Sequence, residues 1–274
     1  LDRKIIQLSE IKMAYYDEGQ GESIMLLHGF PDSGDVWRKV IPILNKNGYR
    51  TIAPDLRGFG QSEAPEGVEN YRADKLAKDI LELKHSLGIE KPMKLIAHDW
   101  GANIGWTLAS FFPKEFSSYV ALSVGNPYAY ALDGGFGQKQ KAWYTMAFQT
   151  EGFAEKMFSQ NDWATLRLFC RNHSELDKHY ISDLSRPGRF TAALNLYRAN
   201  LNPKFANKTK LPKTDIPVLG IYGKNDPYLS ESQMSQSVKY VNNTFEYKII
   251  DGEHVLPLDN SQEITNIILN YYRK

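Results

Sequence analysis

The chain has 274 residues, 42% of them hydrophobic and 24% charged, the balance of a globular protein with room for one large α/β domain and an insertion. A formal charge of +1 with no block of like charges gives no case for nucleic acid. The single cysteine, Cys170, excludes an intrachain disulfide, sits in an apolar stretch expected to be buried, and belongs to no zinc-like Cys/His cluster, so no metal is expected.

No apolar run approaches the ~18 residues that span a bilayer, so membrane insertion is not expected. The start, Leu1-Asp2-Arg3-Lys4, has no signal peptide and no initiator Met; a cytoplasmic location is the expectation. Residues 4–8 and 11–17 have the composition of two short strands turned at Glu10, closed by Gly19-Gln20-Gly21. Ile24-Met25-Leu26-Leu27 is a continuous apolar run, as in a strand buried on both faces, and it ends in His28-Gly29-Phe30-Pro31. Val36, Val40, Ile43 and Leu44 share one face of a helix predicted over 35–45. A strand over 50–53 then runs into the polar loop Pro54-Asp55-Leu56-Arg57-Gly58-Phe59-Gly60-Gln61-Ser62. Leu76, Ile80, Leu83 and Leu87 predict an amphipathic helix over 73–87.

The next stretch, Leu95-Ile96-Ala97-His98-Asp99-Trp100-Gly101-Ala102-Asn103, is an apolar strand, a tight turn and the start of a helix reaching to about Phe112. Strand, sharp turn and helix form the elbow that projects one side chain from the top of a parallel sheet, here Asp99. A strand over 119–124 follows, and then the alternation breaks: 126–211 reads mainly helical and dense in aromatics. It resumes with a strand over 216–222, a helix over 230–240, a strand over 245–250 and a helix over 261–272. This layout predicts a parallel sheet flanked by helices, with a core of 1–126 and 212–274 and an inserted helical cap of 127–211.

A nucleophile at an elbow needs an acid and a histidine, which follow it in the chain in sheets of this kind. Asp226 lies in the loop after the 216–222 strand, and His254 in the equivalent loop one unit later. Asp251 and Asp215 could stand in as the acid; Asn126, after the 119–124 strand, cannot. A carboxylate is ionised at neutral pH and attacks without a base. Attack on an acyl carbon would give an anhydride, whereas attack on an sp³ carbon gives a stable ester. His254, held by Asp226, would then activate water to hydrolyse that ester. The backbone N–H groups of Trp100 and Phe30 would stabilise the oxyanion.

The chain resembles the epoxide hydrolases of the α/β-hydrolase superfamily. His28-Gly29-Phe30-Pro31 matches that family's H-G-x-P motif, Gly58-Phe59-Gly60-Gln61-Ser62 its G-x-small-x-S/T motif, and His98-Asp99-Trp100-Gly101 its nucleophile elbow. The resemblance implies the α/β-hydrolase fold: a mostly parallel eight-stranded sheet under a helical cap. It implies no cofactor, and a small apolar epoxide and water as reactants. It also implies two cap tyrosines that hold and protonate the epoxide oxygen. Trp143-Tyr144-Thr145 resembles the segment of the first, placing it at Tyr144 with Trp143 beside it in the substrate pocket. Asn195-Leu196-Tyr197-Arg198 resembles the segment of the second, at Tyr197; Tyr128 and Tyr130 are the reserve candidates.

Haloalkane dehalogenases share the Asp nucleophile and are the alternative. Their loop usually reads H-G-N-P, with Asn binding halide, and here Phe30 stands in that place. His254 departs from the family habit of Gly before and an aromatic after it, being flanked by Glu253 and Val255, so Glu253 is a candidate to alter its charge environment. Nothing in the sequence speaks to oligomeric state or to which epoxide is taken.

Overall fold

The structure, a computed structural model, describes residues 2–274; Leu1, the first residue of the expected signal-free start, lies outside them. Eight strands form one sheet in the order β1-β2-β4-β3-β5-β6-β7-β8. They are β1 (Lys4–Gln7), β2 (Lys12–Gly19), β3 (Glu22–Leu27), β4 (Tyr49–Pro54), β5 (Met93–His98), β6 (Phe116–Leu122), β7 (Val218–Gly223) and β8 (Phe245–Ile250). The β1–β2 and β2–β4 pairs are antiparallel and all the others parallel.

Side chains alternate across a strand, and this sheet uses both faces. Met25, Leu27, Leu95, Ala97, Tyr119 and Ala121 enter one buried cluster. Ile24, Leu26, Ile96, Val120, Leu122 and Ile221 enter the other. The first face is covered by α2 (Ala73–Ser86) and α3 (Trp100–Phe111), the second by α1 (Ile41–Lys46) and α11 (Ser261–Tyr272). The α2 stripe is the expected one, with Leu76, Ile80 and Leu83 all fully buried.

Between β6 and β7 the regular elements are all helical: a π-turn over Ala129–Asp133, then α4 (Gly135–Lys141), α5 (Trp143–Ala147) and α6 (Phe153–Phe169). A second π-turn over Leu176–Ile181 leads to α7 (Ser182–Leu184) and α8 (Arg189–Leu201). This segment is tied to the loop after β4 and to the start of α2 by polar contacts: Gly60 N–H donates to Asp183 Oδ2 at 2.9 Å, and Ala73 N–H to Asn200 Oδ1 at 2.8 Å. After β7 come α9 (Glu231–Ser235) and, past β8, α10 (Leu256–Asp259). No helix among the described residues is long and apolar enough to cross a membrane.

Three expectations change in detail. The helix over 35–45 is a 3-10 segment, Gly34–Lys39, followed by a fresh α-helix from Ile41. Pro42 has no N–H to bond backwards, so the earlier ladder ends there, and Pro sits in the first turn of α1, where that loss costs nothing. The helix over 230–240 becomes α9 and then a 3-10 stretch, Gln236–Tyr240. At that junction Ser237 Oγ donates back to Gln233 O at 2.8 Å and accepts from Asn126 N–H at 2.7 Å. The β6 strand ends at Leu122, two residues early, because Ser123 adopts φ 68°.

Candidate active site

Parallel strands in register bring their C-terminal ends to one edge. Leu27 of β3 pairs with Ala97 of β5, Leu122 of β6 with both His98 and Ile221, and Gly223 of β7 with Ile250 of β8. The loops after β3, β5, β7 and β8 therefore meet above one edge, where open α/β sheets bind ligands.

Asp99 stands at the apex after β5 with φ 53° and ψ −123°, a left-handed conformation that a non-glycine residue holds only under strain. The apex is crowded. A Cβ on Gly101 would run into the carbonyls of Leu27 and His28, and one on Gly29 would run into the Asp99 carboxylate and the Trp100 nitrogen. Strand β3 and helix α3 can approach this closely only through glycine.

The Asp99 carboxylate has two kinds of partner. Phe30 N–H donates to Oδ1 at 2.7 Å, and the Trp100 backbone N–H also bonds the group. His254 Nε2 lies 3.4 Å from Oδ2. Burial opposes ionisation of Asp99, but these donors outweigh it and hold its pKa below the usual value. The His254 ring turns its other nitrogen, Nδ1, to Asp226 Oδ2 at 2.7 Å. Asp226 is itself fixed, its Oδ1 accepting from the N–H groups of Tyr228 at 2.8 Å and Leu229 at 3.0 Å. Lys141 Nζ donates to the Asp226 and Leu229 carbonyls from the helical segment above. Burial would depress the His254 pKa; flanked by Asp226 and Asp99, it is instead raised to about 10.

The rival acids are elsewhere. Asp251 is exposed and pairs with Lys224 at 3.2 Å, and Asp215 is exposed with Asn242 as its partner. Asn126 is buried, its Oδ1 accepting from Tyr128 N–H. Glu253 turns outward to Arg171 at 3.4 Å, half exposed, so it leaves the His254 environment to the two aspartates.

Tyr144 on α5 and Tyr197 on α8 are both buried, with ring centroids 5.9 Å apart. Tyr197 stands edge-on to Trp100 at 5.0 Å and to Phe30 at 5.5 Å. Burial raises both phenols well above their usual pKa, so both are protonated donors at neutral pH. The reserve pair lines the same large cavity as Tyr144 and Tyr197: Tyr128 OH accepts from Leu211 N–H at 3.0 Å, and Tyr130 is a further phenol of that wall. Trp143 does not line the pocket as expected. Adjacent helical residues point about 100° apart, so with Tyr144 turned inward Trp143 is 55% exposed.

Two motif residues act as scaffold. His28 Nδ1 faces Gly29 O at 3.0 Å while Nε2 accepts from Leu56 N–H at 2.9 Å, a pattern that fits the neutral ring; burial holds its pKa down at about 4. Ser62 Oγ donates to Asp55 O at 2.6 Å and accepts from Ala14 N–H at 2.9 Å, pinning the loop after β4.

Several residues near the site have contacts that the sequence does not announce. His98 Nε2 and Ser123 Oγ both bond the His254 carbonyl, at 2.8 and 3.1 Å. Asp32, Phe169, Cys170, His173 and Tyr180 wall a small cavity beside His254. Asp32 follows the Phe30-Pro31 loop and the other four fall within 169–180, and nothing in their local spacing announces that the two stretches meet.

Fold and site together define an α/β hydrolase with aspartate, rather than serine, at its elbow. A family model for the alpha/beta hydrolase fold matches residues 22–261. The chain is similar to the AB hydrolase superfamily protein YfhM of Bacillus subtilis, 31% identical over 265 residues, 92% of this chain and 91% of that one. It is similar to human Epoxide hydrolase 4, 31% identical over 287 residues, 98% of this chain and 78% of that one. Among solved structures, the Bacillus megaterium epoxide hydrolase in complex with an inhibitor matches with a TM-score of 0.87 at 27% identity, covering 99% of this chain and 100% of that one. An epoxide hydrolase from Vigna radiata gives 0.82 at 29% identity, covering 99% and 98%. The chain belongs to the α/β-hydrolase fold family and, within it, to the epoxide hydrolases.

Proposed function

We propose that the protein hydrolyses a small apolar epoxide to a vicinal diol through an ester on Asp99, with 1–126 and 212–274 as the catalytic core and 127–211 as the cap. The observation that carries this reading is the meeting of one carboxylate and two protonated phenols: Asp99, Tyr144 and Tyr197 wall the same cavities.

The resting state is an Asp99 carboxylate, a His254 imidazolium and two neutral phenols, as their pKa directions require. Asp99 Oδ2 attacks a ring carbon. The C–O bond breaks as a tyrosine gives its proton to the departing oxygen, leaving an ester, a hydroxyl and a phenolate. The imidazolium returns a proton to the phenolate and becomes neutral. It can do so because esterification removes one of the charges that had held the proton on it.

Neutral His254, steered by Asp226, takes a proton from water as the hydroxide adds to the ester carbon. The oxyanion forms on Oδ1, which already accepts from the Phe30 N–H at 2.7 Å, with the Trp100 N–H beside the carboxylate as second donor. Collapse expels the diol oxygen, which takes the proton of the new acid. Asp99 is again a carboxylate and His254 again an imidazolium, so the cycle closes with no net proton.

Dehalogenation would use the same carboxylate but needs donors to a spherical halide. Phe30 offers no side-chain donor there. Incubation with styrene oxide and, separately, with bromobutane separates the two chemistries. Diol without bromide is expected; bromide without diol would overturn the reading.

A further inference from the structure

The two cavities that meet at Asp99 are very unequal. One has a volume of about 40 Å³ and the other about 400 Å³, and the only residues they share are Asp99, Tyr144 and Tyr197. The reacting groups thus stand at a neck between two chambers.

The large chamber is walled by Trp100, Asn103, Thr107 and Phe111, successive positions on one face of α3. At 1.5 Å of rise per residue this wall runs roughly 16 Å from the nucleophile. Val124, Pro127, Leu211 and Leu229 also line the chamber, with Tyr128, Tyr130 and Thr145 among its polar wall groups. An extended apolar chain or aryl group fits such a space.

The small chamber lies on the His254 side. Room of this size holds about three water molecules, at ~10–15 Å³ each. Its wall is mostly aromatic, and the ring of His254, the buried carboxyl of Asp32, the ring of His173 and the Tyr180 hydroxyl are among its polar groups. Asp32 accepts from Tyr180 OH at 3.4 Å, and Phe169 closes the far side against Tyr144 and Tyr228, at 4.9 and 5.0 Å between ring centroids. Ester hydrolysis consumes a water beside His254, and this is the space beside His254 that can store it.

We propose that the chambers divide the reactants: the large one takes a single extended apolar substituent, the small one takes water, and the substrate is a terminal epoxide. The inference rests on the epoxide-hydrolysis reading and adds the substitution pattern. In a trans-disubstituted epoxide the two groups leave opposite ring carbons in opposite directions. With the ring at the neck, a bulky second group would enter the small chamber, collide with Phe169 and displace the water.

The test uses the purified full chain on terminal epoxyalkanes from epoxybutane to epoxydodecane, and on styrene oxide against trans-stilbene oxide. Along the alkane series kcat/KM should rise about two- to fourfold per added methylene until the chamber is filled. Styrene oxide should exceed trans-stilbene oxide by roughly 100-fold or more, since the second ring meets a wall. Phe169→Ala, or the milder Cys170→Ala if that variant does not fold, should narrow the gap. Equal rates on the styrene and stilbene oxides, or a flat alkane series, would overturn the division into chambers. No diol from any substrate would overturn the epoxide reading beneath it.

Discussion

His254 Nε2 lies 3.4 Å from Asp99 Oδ2, an ion pair between a proposed base and a proposed nucleophile. With Asp226 Oδ2 on the other ring nitrogen at 2.7 Å, the imidazole sits between two carboxylates and carries its proton up to about pH 10. A protonated histidine cannot activate water. Turning Asp99 into a neutral ester removes one carboxylate, so the first step of the reaction creates the base that the second step needs.

The Asp99→Ala variant imitates that loss of charge. Its His254 pKa, followed by NMR of the ring, should fall by roughly one unit or more from the wild-type value, each unit being about 1.4 kcal/mol of differential interaction. A pKa raised in the folded state contributes stability that is complete below the unfolded value near 6.5 and is lost as pH rises through the folded one, here toward about 10. The variant should therefore lose less stability than the wild type over that window. An unchanged His254 pKa would mean that Asp99 does not govern the base.

Tyr144→Phe and Tyr197→Phe each remove one proton donor and keep the ring packing. Each should slow single-turnover ring opening by roughly 10- to 1000-fold, and the double variant should fall below detection, on the scale of general acid catalysis. Ring opening at the wild-type rate in the double variant would remove the phenols from the chemistry.

Asp32 is buried, and burial raises its pKa to about 8 despite opposition from His173. A carboxyl that is harder to ionise folded than unfolded stabilises at low pH and loses that contribution as pH rises from about 4 to about 8. Asp32→Asn should melt with the wild type at acidic pH. Above pH 8 it should melt several degrees higher, at about 2–4 °C per kcal/mol relieved. Parallel melting curves for the two proteins across this range would refute a buried, strained Asp32.

Gly29 is the one position in the loop after β3 that the elbow leaves no room to fill. Gly29→Ala would drive a methyl into the Asp99 carboxylate and the Trp100 nitrogen. We expect a loss of about 1–3 kcal/mol in urea unfolding, the cost of overpacking, and a fall in turnover far larger than the stability loss explains. Full activity with full stability would contradict the close approach of β3 and the elbow.

The sheet and the Asp99–His254–Asp226 trio were legible because strand order and strand ends determine which loops meet, and buried strands carry continuous apolar runs such as Ile24–Leu27. Phe30 and Trp100 followed from their places beside the apex. Tyr144 and Tyr197 were reached by resemblance alone, since helical periodicity cannot single out two phenols among 16 tyrosines. Trp143 was misplaced because sequence adjacency to Tyr144 says nothing about which way a short helix is turned. The wall of Asp32, His173 and Tyr180 was invisible, because docking of the helical segment on the sheet, rather than any local pattern, brings these residues together.

The most direct test of the covalent ester uses His254→Gln, which keeps the nucleophile and the phenols but cannot activate water. Mixed with styrene oxide and analysed by intact-mass spectrometry with peptide mapping, it should gain the mass of one epoxide, carried on the peptide containing Asp99, with little diol formed. Steady diol production by this variant with no adduct on Asp99 would contradict the account.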